Sequence, residues 1–158
     1  MPHEGGAAER VLRRLDAGWA AFGESYAGLP DALLLVPGVV GDWSVKDVLA
    51  HVSAWEEEAI AHLPVIAAGG RPPRYAASGG IDAFNARTAE RRRDLSLGDV
   101  RRLLEESHRR LVELVRNAPD DQLAGDTRFR RRLRLDTYGH YRLHSEGIRS
   151  WRSIQGLQ

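Results

Sequence analysis

His140 and His144 are four residues apart, so a helix that carries them projects both rings from one face. His51 stands between Val48 and Trp55 at helical spacing and borders the inner face of a different apolar stripe. Three imidazoles converging from two helices are the kind of donor set with which a helical bundle holds a metal ion in its interior. Three protein ligands leave coordination positions for water or substrate, the pattern of a catalytic rather than a structural site. A metal in such a site lowers the pKa of bound water toward about 7 and makes a nucleophile available at neutral pH. The spacing is a weak marker on its own, because a His-x-x-x-His pair also arises as two ordinary hydrogen-bonded rings.

The remaining histidines read as bystanders. His3 falls in an N-terminal stretch, residues 1–6, expected to be flexible, while His62 and His108 are expected at helix edges near solvent. Aromatic side chains supply the expected walls of a cleft beside the triad, with Trp55, Tyr141 and Trp151 as substrate contacts. Tyr138 precedes His140 by two residues and points off the buried stripe. It is the expected catalytic hydroxyl, lining the cleft and donating to a developing anion. Glu56-Glu57-Glu58 and Arg91-Arg92-Arg93 read as solvated helix faces, with a glutamate orienting a histidine as the alternative for the first run. Arg128, Arg130, Arg131, Arg132 and Arg134 surround Phe129 and Leu133 and read as a solvated loop, with contact to an anionic substrate or nucleic acid as the alternatives.

Composition narrows the field. The 158 residues fit a single domain, 1–158, with one core. Twenty-three basic side chains against 22 acidic ones leave a net charge of +1, so bulk electrostatics point to no nucleic-acid partner. Cysteine is absent, which excludes disulfides, thiolate metal ligands and a cysteine nucleophile. No apolar run approaches the roughly 20 residues of a membrane helix, and the first residues lack the apolar core of a signal peptide. The expectation is a cytoplasmic protein with a small-molecule substrate and no membrane partner; a homodimer is left open.

The elements that must position the histidines follow from periodicity. Val11, Leu12, Leu15, Trp19, Phe22 and Tyr26 predict a helix over about residues 7–28. Ser44 and Asp47 form a capping box for a second helix with Val48, Val52, Trp55, Ala59 and Leu63 on its stripe, ending by Gly69-Gly70. Residues 69–80 are too rich in Gly and Pro for a helix and too long for a tight turn, which predicts a crossover that sets helices two and three parallel. A shorter helix runs from Ile81 to Asp94. Ser96 and Asp99 form a second capping box, and Val100, Leu104, Leu111 and Val115 mark the clearest helix in the chain. Residues 118–134 are expected as a long loop, followed by a last helix over about Thr137–Ile154 with Tyr141, His144, Ile148 and Trp151 inward. No strand pattern is present. Four main helices with two long links make an all-α four-helix bundle.

Certain segments resemble a known family. Gly41-Asp-Trp-Ser-Val-Lys-Asp-Val-Leu-Ala-His51 with Ala54-Trp55-Glu56 resembles the second helix of the DinB/YfiT-like superfamily. Phe84-Asn85-Ala86-Arg87, Thr137-Tyr138-Gly139-His140-Tyr141, His144, Ile148-Arg149 and Trp151 resemble its ClbS/DfsB branch. The resemblance spans about residues 8–155. It implies an up-down-down-up bundle and a divalent metal, nickel or zinc, on a histidine triad that maps to His51, His140 and His144. It also implies enzymatic chemistry of two kinds. Some members of the superfamily are bacillithiol- or mycothiol-dependent transferases or isomerases, with a low-molecular-weight thiol as cofactor; the ClbS branch is named for a protein that hydrolyses a cyclopropane warhead. Asp136 stands where that branch commonly has Asn, and Gly139 where an acidic residue is common. The expected function is thus a metal-dependent hydrolase that detoxifies a small electrophile, with a thiol S-transferase and a non-catalytic sequestering protein as the alternatives.

Overall fold

The computed structural model describes residues 5–158; His3 and the rest of residues 1–4 lie outside them. Among the described residues there are eight α-helices: α1 (Ala7–Ser25), α2 (Asp31–Leu34), α3 (Val45–Ala67), α4 (Ile81–Arg92), α5 (Leu97–Arg116), α6 (Asp120–Leu123), α7 (Arg128–Asp136) and α8 (Tyr138–Ile154). One 3-10 turn covers Tyr75–Ser78. Among the described residues the sole β feature is an isolated bridge between Val40 and Trp43 in the loop before α3.

Side-chain contacts give the directions of the four long helices. Arg149 on α8 donates to the Ala21 carbonyl of α1, and Arg152 to the Ser25 carbonyl, so α1 and α8 run parallel. Lys46 on α3 reaches the Leu95 carbonyl just ahead of α5, and Ser53 meets Ser107, so α3 and α5 also run parallel. His51 faces His144 and His140 while Glu56 faces Tyr141, which sets α3 antiparallel to α8. The result is the up-down-down-up bundle. Its core is built from Leu15 and Phe22 on α1, Val48, Val52 and Leu63 on α3, Leu104 and Leu111 on α5, and Tyr141 and Ile148 on α8.

The long crossover differs in detail from the expectation. The Gly/Pro segment reverses the chain, and α4 runs back along α3, with Phe84 against Trp55 and Arg92 bonded to the Ala50 carbonyl. The crossover that makes α3 and α5 parallel is therefore the whole stretch 68–96. Capping explains the entry points. Ser44 and Asp47 form the reciprocal box at α3, whereas at α5 only Ser96 caps, and Asp99 pairs with Arg102 instead.

Residues 118–134 are not a loop. Thr127 accepts from the Arg130 amide and starts α7, whose Phe129, Leu133 and Asp136 are buried. The arginines between them hide a helical period of four. At Thr137 the backbone leaves helical geometry (φ −129°, ψ −100°), and α8 begins at once. Gly139 sits where this junction is tightest: a Cβ there would lie 2.8 Å from the Arg134 carbonyl oxygen. A side chain at position 139 would meet this backbone, so the junction favours glycine there.

Candidate metal centre

α3 carries His51 to the inner wall, and the first two turns of α8 carry His140 and His144 to meet it. The His140 Nε2 lies 2.9 Å from the Nε2 of His51 and 2.9 Å from that of His144. One ligand atom from each ring lies within 4.8 Å of the other two. Hydrogen bonding alone does not satisfy this arrangement. A neutral His140 Nε2 carries either one proton or one lone pair, yet it faces two partners. The donor set fits a divalent metal: three imidazole nitrogens within 4.8 Å of one another, on rings held in the neutral, ligating form.

Burial enforces that form. Desolvation, joined by neighbouring rings at His51 and His140, lowers the pKa of His51 to about 3 and of His140 to about 2, and desolvation alone lowers His144 to about 4. Trp43 tilts against His51 with ring centroids 4.9 Å apart, and Trp55 lies edge-on to His140 at 6.2 Å. The Nδ1 of His140 is buried without a hydrogen-bond partner. This ring is positioned by packing, not by an acceptor behind it.

The triad forms one wall of a cleft of about 550 Å³, within the range of small-ligand sites. The mouth is apolar: Val40, Ile81, Leu135 and Leu143 line it and are 40%, 52%, 66% and 64% exposed. Polar groups also line the cleft. Asn85 Oδ1 accepts from the Trp55 indole at 2.9 Å. Arg132 pairs with Asp136 at 2.6 Å and donates to the Tyr75 hydroxyl, which in turn donates to Glu58. Burial outweighs the adjacent guanidinium and pushes Asp136 up to about 6. Burial likewise raises Tyr75.

The expected substrate contacts divide. Trp55 lines the cleft, but Tyr141 and Trp151 are buried in the core and do not. Tyr138 is also absent from the cleft; it packs toward Gly18 of α1 and lines a groove with Arg14 and Arg134. The reason is helical geometry: two residues correspond to about 200° of rotation, so Tyr138 leaves the far side of α8 from His140. Periodicity overlooked Tyr75, Asn85, Arg132 and Asp136 as cleft residues. A signal for the last two existed, since 132, 136, 140 and 144 form one i, i+4 series across the α7–α8 junction.

Glu56 corrects the solvated-face reading. It is fully buried and accepts from the Tyr141 hydroxyl at 2.5 Å, Ser107 Oγ at 2.7 Å and His108 Nδ1 at 2.8 Å. His108 is accordingly not at an exposed edge: its ring stacks on Trp19, with centroids 3.6 Å apart and planes 4° from parallel. His62 is half-buried and paired with Glu58. Among the described residues no helix is long and apolar enough to cross a membrane.

A family model described as the DinB superfamily matches residues 14–144, a span that includes all three histidines. No curated protein matches the sequence significantly. The crystal structure of an uncharacterised protein from Escherichia coli UTI89 superposes with a TM-score of 0.77 at 16% identity, covering 96% of this chain and 95% of that one. That likeness concerns the fold.

Proposed function

The chain belongs to the DinB superfamily, whose members are often metal-binding, and from that premise we propose that it is a metal-dependent hydrolase acting on a small, largely apolar electrophile, of the ClbS-like cyclopropane-opening type. The observation that carries this reading is the convergence of three neutral imidazoles on the wall of an apolar-mouthed cleft. His51, His140 and His144 would hold nickel or zinc. When bound, the metal supplies Lewis acidity and lowers the pKa of water toward about 7.

The chain's own residues divide the remaining work. Val40, Ile81, Leu135 and Leu143 take the apolar body of the substrate out of water. Trp43 and Trp55 brace His51 and His140 and limit solvent around them. The Asn85 amide nitrogen, left free by its oxygen's bond to Trp55, is a donor for the substrate. Arg132 offers its remaining N–H groups to negative charge that develops as a strained bond opens. Asp136, with its pKa near 6, is suited to hold a proton for the leaving atom or take one from water at near-neutral pH.

Thiol transfer is the competing chemistry, and it calls for cationic groups in the cleft to receive the cofactor's carboxylates. Arg132 is the one guanidinium that lines the cleft, and it is already paired with Asp136; Arg130, Arg131, Arg134 and Arg142 line other grooves. This weighs toward hydrolysis. The test is turnover of a spirocyclopropane electrophile by untagged, metal-analysed protein, with and without an added low-molecular-weight thiol. Thiol-independent hydrolysis that disappears on chelation is the expected result. Thiol-dependent turnover reassigns the protein as a transferase, stoichiometric capture without product makes it a sequestering protein, and hydrolysis that survives complete metal removal overturns the mechanism.

A further inference from the structure

The geometry points to a second binding site, on the opposite side of α8 from the histidines, for a phosphate-type dianion. A pocket of about 170 Å³ opens between α1, α7 and the start of α8, and its walls carry Arg14, Arg130, Arg131, Arg134 and Tyr138. One acidic residue joins them, Asp126, and it is already paired with Arg131 at 3.2 Å. Four guanidiniums against one carboxylate is a local excess that the chain as a whole, at +1, does not share.

The cluster is organised rather than merely exposed. The loop ahead of α7 turns at Gly125, where φ is +76°, and presents its carbonyls to the arginines. Arg130 donates to the Gly125 carbonyl and Arg131 to the Asp126 carbonyl, both at 3.1 Å. Each of these bonds uses one N–H and leaves others of the same planar fork free. Arg14 and Arg134 form no ion pair among the described residues, and the Tyr138 hydroxyl has no hydrogen-bond partner there. Like charges held together are mutually unfavourable until a counter-charge enters. Forked guanidiniums match the oxygens of a phosphoryl group, and a phenol adds a neutral donor. The volume suits a phosphate or a pyrophosphate, not a nucleotide base.

This site is independent of the metal reading and assigns a role to Arg130, Arg131 and Arg134, which hydrolysis does not use. The probe is inorganic pyrophosphate, titrated calorimetrically into the chelated, metal-free full chain at low ionic strength, with sodium chloride of matched ionic strength as the blank. The expected result is saturable binding of one pyrophosphate per chain. Arg14→Gln and Arg134→Gln should each weaken it about tenfold or more, the loss of charged hydrogen bonds to the anion. Arg134→Lys should retain part of the affinity, and His140→Ala should retain all of it. Arg14 and Arg134 are solvent-exposed, so the variants keep the fold, which helical circular dichroism verifies. Binding no greater than the chloride blank, binding undiminished in the Arg14→Gln/Arg134→Gln double variant, or binding lost in His140→Ala would each overturn the assignment.

Discussion

Glu56 accepts a hydrogen bond from the Tyr141 hydroxyl at 2.5 Å, across the interior between α3 and α8. Trp55, one residue earlier, lies against His140, one residue before Tyr141. The two helices are thus joined by an apolar contact on the cleft side and a polar one on the core side. The polar contact fixes how far α8 is rotated, and rotation decides where its two histidines aim.

Tyr141→Phe removes one donor from a fully buried carboxylate that keeps two others. The expected loss is about 1–3 kcal/mol of unfolding free energy, the range for removing one partner of a buried hydrogen bond. Glu56→Leu strands Tyr141, Ser107 and His108 together and should cost more than Tyr141→Phe. Urea unfolding measures both. Equal stability for the two variants would show that the other donors contribute nothing.

His51→Ala, His140→Ala and His144→Ala should each abolish metal uptake and leave the helical content unchanged. In the unsubstituted protein, metal at a hundredfold excess over its dissociation constant should raise stability by about 2.7 kcal/mol, by mass action. Thermal unfolding with and without metal reads this directly, and the increment should vanish in all three variants.

Asp136 makes stability fall as pH rises. Its folded pKa, near 6, stands above the ordinary value of 3.8. The folded state therefore holds a proton between those values that the unfolded state has released. The stability this contributes is fully present below pH 3.8 and is lost as pH climbs through 6, a change on the order of 2–3 kcal/mol for a side chain this deeply buried. Asp136→Asn removes the titration. Unfolding curves from pH 4 to 7 should show the native protein losing ground to the variant across that window.

Gly139→Ala pushes a methyl to within 2.8 Å of the Arg134 carbonyl. The α7–α8 junction must move, at about 1–3 kcal/mol, and His140 moves with it. Both stability and metal affinity should drop, whereas Gly147→Ala, which meets nothing within 4 Å on the same helix, should do neither.

Tyr138→Phe should leave metal uptake and turnover unchanged, because the ring faces α1 and the arginine groove. A fall in turnover with intact metal binding would return Tyr138 to the catalytic role that its place in the sequence suggests.

The sequence was most legible where one physical signal dominated. Periodicity located the long helices to within a few residues at most, and the Ser44–Asp47 box marked the start of α3. The triad was legible because each ligand lies on or beside an apolar stripe. α7 was hidden because arginine at 128, 130, 131, 132 and 134 outnumbers the buried Phe129 and Leu133, so polarity masked a correct period. Glu56 was misread because carboxylates are seldom fully buried, and its three donors come from α5 and α8, far away in sequence. Tyr138 shows that proximity in sequence is not proximity in space: on a helix, residues two apart point to nearly opposite sides.

The pairing of α1 with α8 and of α3 with α5 has a consequence for how the protein comes into being. Neither pair joins neighbours along the chain, and His51 meets His140 across 89 positions. Such long-range pairings form late, after the entropy of closing large loops has been met. On the ribosome, the residues up to α7 emerge carrying one histidine of three and an apolar face on α1 that α8 has yet to cover. Any metal held by the triad would therefore be captured only once the last helix is in place, so that metal binding would report a completed fold.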